Sequence, residues 1–185
     1  MIVTARPGDN ETTRLGDDET ISFSPGSLAS WSTLVIGYGN DLRGDDAIGP
    51  RVAELVTARA LPGVRAISMR QLTPELAEQL ARAGLAIFVD AYAAAPAEHA
   101  GDPCIHVRPL TPTTADAALL HTSDPRALLA LALALYGHTP PAWQIVVPAV
   151  TFDLGAPLSP IAEQGIVAAL AQVVELAKQA NCYRR

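Results

Sequence analysis

Leu34 to Leu55 reads LVIGYGNDLRGDDAIGPRVAEL, and it holds two periods joined by a turn. Leu34-Val35-Ile36 is a short, unbroken apolar run, the pattern of a strand buried on both faces. Gly37-Tyr38-Gly39-Asn40 then supplies residues that suit a tight turn. From Asp46 to Ala60 the apolar residues Ile48, Val52, Leu55 and Val56 fall at i, i+4, i+7 and i+8, which predicts a helix with one face inward. A buried strand feeding directly into a helix is the opening unit of an α/β fold.

Working outward, the same alternation repeats. Val64 to Met69 is a second candidate strand. Thr73-Pro74-Glu75 predicts a helix start, with Thr73 as N-cap and Pro74 in the first turn, leading through Leu76 and Leu80. Leu85-Ala86-Ile87-Phe88-Val89-Asp90 is the clearest buried strand in the sequence, and an Ala-rich loop over 91–102 follows it. Cys104 to Arg108 fits a short edge strand. His121-Thr122-Ser123-Asp124-Pro125 predicts a second capped helix start, running to Tyr136 and stopped by Gly137. That helix is apolar almost all round, so it is either deeply packed or partly a contact surface. Gln144 to Val150 supplies a further strand. Ser159-Pro160 opens a last helix with Ile166, Leu170, Val173 and Val174 toward the core. The expected fold is a three-layer α/β/α sandwich with a twisted, mostly parallel sheet. Residues 31–180 form one domain, preceded by a polar, flexible extension over 1–30.

Bulk properties narrow the function. At 185 residues, 49% of them apolar, the chain can bury one ordinary core. A net charge of −6 with scattered Lys and Arg excludes a nucleic-acid footprint and an anionic membrane surface as partners. No apolar run approaches the roughly 18 residues of a membrane-spanning helix, and no apolar h-region follows Met1 to Arg6. Cys104 and Cys182 form neither a disulfide framework nor a CxxC pair. A cytoplasmic protein with free thiols is expected, as a monomer.

In open α/β sheets ligands bind beyond the carboxyl ends of the strands. That rule selects Asn40, Asp41, Asp45 and Asp46 after the first strand, Asp90 at the end of the third, and His121 before a helix. Two carboxylates and an imidazole are a ligand set for a divalent metal with open positions, and nickel, zinc and iron all accept it. Each also has a plainer reading. Asp45 or Asp46 can cap a helix, where the macrodipole favours the ionised form by roughly 0.3–1 kcal/mol. His121 can be an ordinary helix-end histidine. Asp90 is the sharper candidate, because a carboxylate closing an apolar strand is costly to bury without a partner. His99, His106 and His138 read as structural or solvent-facing. Gly37-Tyr38-Gly39 fails the GxGxxG fingerprint, since Leu42 stands where the third glycine belongs, and no Walker loop, HExxH pair or GxSxG elbow occurs.

Residues 34–55 resemble the opening of the hydrogenase maturation endopeptidases: a strand, a G-x-G-N turn, an acidic pair and a further glycine at this spacing. Phe88-Val89-Asp90-Ala91 resembles the family's second acidic position. His121, with the helix ending at Tyr136-Gly137 and then Pro140, resembles its histidine segment, and Gly155 to Pro160 resembles the motif opening the last helix. Together these cover about residues 32–178. The resemblance implies a phosphorylase/hydrolase-like fold and an enzyme that removes a short C-terminal tail from the large-subunit precursor of a nickel–iron hydrogenase after nickel insertion. It places the nickel contacts at Asp46, Asp90 and His121, with the nickel supplied by the substrate subunit. The segment Met69 to Glu75 departs from several members, which carry a Gly/Thr-rich stretch with an acid there; this difference bears on which large subunit is recognised. A self-metallated peptidase on the same scaffold and a non-catalytic nickel-binding chaperone are the competing readings.

Overall fold

The computed structural model describes residues 31–94, 105–113 and 124–182. The extension over 1–30, Cys104 and His121 lie outside the described residues.

Five strands form one sheet: β1 (Thr33–Tyr38), β2 (Val64–Met69), β3 (Ala86–Ala93), β4 (His106–Leu110) and β5 (Ala142–Ala149), in the order β2-β1-β3-β5-β4. β1 pairs in parallel with β2 and β3, and β3 pairs in parallel with β5. β4 is the antiparallel edge. The helices are α1 (Ile48–Ala58), α2 (Leu76–Ala81), α3 (Pro125–Tyr136) and α4 (Pro160–Cys182). This is the expected α/β/α sandwich with a mostly parallel sheet.

Strand alternation divides the core in two. Val35, Ile87, Val89, Ile145 and Val147 point to the face covered by α1 and α4, where they meet Val52, Val56, Ile166, Leu170 and Val173. Leu34, Ile36, Ala86, Phe88 and Ala142 point to the opposite face, under α2 and α3. Both faces of β1 and β3 are therefore dry, which is why their sequences are continuous apolar runs. Burying a side chain such as Phe88 or Ile36, both 0% exposed, stabilises the fold by about 1.5–3 kcal/mol each.

Helix ends follow from local chemistry with two differences from expectation. Asp124 caps α3 by accepting from Arg126 N at 2.9 Å, and Gly137 ends it in the left-handed conformation at φ 66°. The start of α2 falls at Leu76 rather than at Thr73. Leu76 N donates to Thr73 O and Ala77 N to Pro74 O, so Thr73-Pro74-Glu75 forms a turn ahead of the helix without a side-chain cap. The edge strand sits two residues later than the expected 104–108, because its pairing register is set by β5.

α4 is long and apolar enough, by length and mean hydropathy, to pass as a membrane span. Its apolar stripe of Ala162, Ile166, Ala169, Leu170, Val173 and Ala177 is instead packed against the sheet and α1. The exposed apolar residues of α3 are confined to its last turn, Leu133, Leu135 and Tyr136.

Candidate active site at the carboxyl rim of the sheet

The chain leaves β1 for β2 on one side and returns to β3 on the other. β1 and β3 are thus the neighbours between which the winding direction reverses, and in open α/β sheets ligands bind beyond the carboxyl ends of such a pair. The first two sequence-selected acids lie on the two segments at these ends.

Glycines set the geometry of the first segment. A Cβ on Gly37 would stand 1.9 Å from Gly49 O, and one on Gly49 would stand 2.3 Å from Tyr38 O and 2.6 Å from Val89 O. The first turn of α1 is therefore laid directly on the ends of β1 and β3, backbone against backbone. Gly39 takes φ 141°, and its missing Cβ leaves room for Asp46 O at 2.1 Å. The glycines of this stretch serve close packing of strand, turn and helix.

Asp45 and Asp46 occupy a 3-10 turn, Gly44–Ala47, ahead of α1, and the two acids do different work. Asp45 is 0% exposed. Its Oδ2 accepts from Val150 N at 2.8 Å, Thr151 N at 3.1 Å and Ser159 Oγ at 2.8 Å, while Oδ1 accepts from Ser159 N at 2.7 Å. Those four donors tie the loop after β1 to the end of β5 and the start of α4. Asp46 is half-buried and caps no helix; its Oδ2 accepts from Asn40 N at 2.9 Å. Asn40 Oδ1 in turn accepts from Leu42 N, which makes the turn self-bracing.

Asp90 ends the buried part of β3, on the α2/α3 face by strand alternation from Phe88. Its Oδ1 accepts from Ala91 N at 2.8 Å, and the Tyr38 hydroxyl hydrogen-bonds the same carboxylate. Burial is the main cause of a pKa raised above the ordinary carboxylate value. The bonds from Tyr38 and Ala91 oppose that shift, and the negative charge of Asp46 adds to it. Tyr38 is itself pushed well above the ordinary phenol value, first by burial and then by the adjacent Asp90.

His121 falls outside the described residues. The chain resumes three positions later at Asp124, the α3 cap, whose charge is felt at Tyr38. Among the described residues, no group of three His, Cys, Asp or Glu side chains is arranged to hold a metal ion. Asp46 and Asp90 offer hard oxygen donors and leave most of a coordination sphere open. That fits a metal whose remaining ligands arrive with it.

Three residues beside Asp90 escaped the sequence reading. Gln144 is 6% exposed on β5, and its amide nitrogen lies 3.4 Å from the Tyr38 hydroxyl. Arg108 on β4 donates to Gln144 Oε1 from Nε at 3.1 Å and from an Nη at 2.8 Å. A Gln within the apolar run Ala142 to Ala149 was a usable signal, since a buried amide needs partners.

No family model matches the chain, and no curated protein matches it in sequence. Solved structures do match it. The [NiFe] hydrogenase maturation protease HycI from Thermococcus kodakarensis KOD1 superposes with a TM-score of 0.61 at 21% identity, over 79% of this chain and 92% of that one. The hydrogenase maturating endopeptidase HybD from E. coli gives 0.60 at 23% identity, over 80% and 93%. The hydrogenase 2 maturation peptidase from a Thaumarchaeota archaeon gives 0.55 at 25% identity, over 78% and 96%. The match takes in nearly the whole of each of these proteins. The chain is a structural relative of the nickel–iron hydrogenase maturation endopeptidases and has their fold.

Proposed function

We propose that the chain is an endopeptidase that releases the C-terminal tail of a nickel–iron hydrogenase large-subunit precursor after nickel insertion. What supports this reading is a fold shared with proteins named for that activity, with Asp46 on the loop after β1 and Asp90 at the end of the neighbouring β3. Asp46, Asp90 and His121 are the proposed contacts to nickel, which belongs to the substrate. His121 is proposed on the family resemblance and on its place just ahead of the α3 cap.

The two acids hold the precursor so that its scissile bond lies at the rim, and such placement accounts for several kcal/mol of barrier lowering. Nickel bound there would act as a Lewis acid toward the amide. Hydrolysis also needs an acceptor for a water proton. Asp90, whose proton affinity is raised by burial, is the proposed base. On this reading the protein works as a monomer in the cytoplasm, with the precursor as its partner.

The test is to incubate the chain with nickel-loaded and nickel-free precursor and follow the tail by mass. Tail release from the loaded form alone is expected. Equal release from both ends the nickel-gating idea, and binding without release identifies a chaperone instead.

A further inference from the structure

Arg108 stands directly opposite Gln144 in the β4–β5 register, and Gln144 stands opposite Phe88 on β3, two residues before Asp90. Four side chains from four strands therefore line one face of the sheet in sequence: Arg108, Gln144, Tyr38 and Asp90. Their hydrogen bonds have only one consistent direction. A guanidinium has donors and no acceptor, so the atom it contacts twice on Gln144 must be the amide oxygen. The amide nitrogen is then the group that faces Tyr38, and it donates to the phenol oxygen. A hydroxyl that accepts on that side has its own proton free for the other side, where Asp90 lies.

We propose that Arg108, Gln144 and Tyr38 are positioning residues forming a one-way hydrogen-bond relay that fixes the orientation of the Asp90 carboxylate. The inference rests on the functional reading above for the role of Asp90. The relay explains why a polar amide is buried mid-strand and why a long cationic side chain sits on an edge strand 36 residues away in sequence. With Ala91 N on Oδ1 and Tyr38 as a second donor, the carboxylate is held from two sides. A fixed carboxylate presents its remaining lone pairs in one direction.

Two substitutions isolate the relay. Tyr38→Phe removes one oxygen and keeps the ring. Gln144→Glu keeps the acceptor for Arg108 but removes the N–H that dictates which way the Tyr38 proton points. In the full chain labelled with carbon-13 at aspartate Cγ, the Asp90 resonance is identified by its loss in Asp90→Asn. It is expected to move in Tyr38→Phe and to move in the same direction in Gln144→Glu. Single-turnover tail release from nickel-loaded precursor is expected to slow about 10-fold or more in both variants. The rate at saturating precursor should carry more of the loss than the half-maximal concentration, because the relay orients Asp90 without itself touching the substrate. An Asp90 resonance unmoved in Tyr38→Phe, or a Gln144→Glu protein identical to the starting chain in resonance and rate, overturns the relay. If the unsubstituted chain releases no tail, the functional reading fails, and the resonance alone still decides the relay.

Discussion

Ser159 satisfies both oxygens of Asp45: its backbone N–H donates to Oδ1 at 2.7 Å and its hydroxyl to Oδ2 at 2.8 Å, across 114 residues of chain. With Val150 N and Thr151 N also on Oδ2, every contact to this buried carboxylate comes from a donor. Asp45→Asn therefore sets an amide N–H against a backbone N–H whichever way it turns. A loss of about 2 kcal/mol or more is expected, with Asp45→Ala at least as severe, because buried donors are left unpaired. Urea unfolding midpoints check it, and a neutral Asp45→Asn would show that water replaces the clamp.

Asp90→Asn should show a trade between stability and activity. In the folded chain the Asp90 pKa is raised above its ordinary value of 3.8, chiefly by burial, so folding penalises the ionised form relative to the unfolded chain. The ionised carboxylate thus costs stability above the folded pKa, and the cost vanishes below the unfolded one. The variant should melt higher than the parent at pH 7, with the gap closing as pH falls toward about 4. Its tail release should drop by about 100-fold or more. Melting curves across pH 3.5–8 read the first effect, and an equal or lower melting point at pH 7 contradicts it.

Asp46→Asn keeps an oxygen for Asn40 N but loses the charge. Changes to residues behind a metal contact already cost 10–100-fold, so loss of a direct contact should reduce tail release by about 100-fold or more. Stability should change little, since the Asp46 side chain accepts a single hydrogen bond among the described residues. His121→Asn is expected to behave alike. Unimpaired release in either variant removes that residue from the site.

Gly39→Ala tests the turn. Its backbone sits at φ 141°, and the new Cβ would meet Asp46 O at 2.1 Å and Asp46 Oδ1 at 3.3 Å. The strain alone amounts to about 1–3 kcal/mol, and relief requires Asp46 to move. Tail release should therefore fall further than the thermal midpoint alone would explain. Wild-type release from a stably folded Gly39→Ala protein would detach the turn from the site.

Local pattern was enough for much of this architecture. β1 and β3 were legible because both faces of each are buried, and α1 because Ile48, Val52 and Val56 share one face. Asp124-Pro125 and Gly137 marked the ends of α3 by backbone chemistry alone. Asp46 and Asp90 were selected by the rule for sheet rims, and they fall on the loop after β1 and at the end of β3. What sequence could not display was partnership across strands. Asp45 looked like a helix cap until Val150, Thr151 and Ser159 were seen around it. Tyr38 and Gln144 approach one another only because β3 lies between β1 and β5, an order no local period encodes. The edge strand was misplaced by two residues for the same reason, since its partner β5 sets its register.

At the junction of β1 and α1, Gly37 and Gly49 leave no side chain between helix and sheet. Side chains at such a seam would act as a cushion, letting the helix slide or tilt by rotamer changes. Here a carbonyl rests where a methyl group would be, so the helix start and the strand ends must travel together or not at all. The loop bearing Asp46 inherits that stiffness. In the function proposed above, shape adjustment during encounter then belongs to the precursor, whose tail must come to a mould already set.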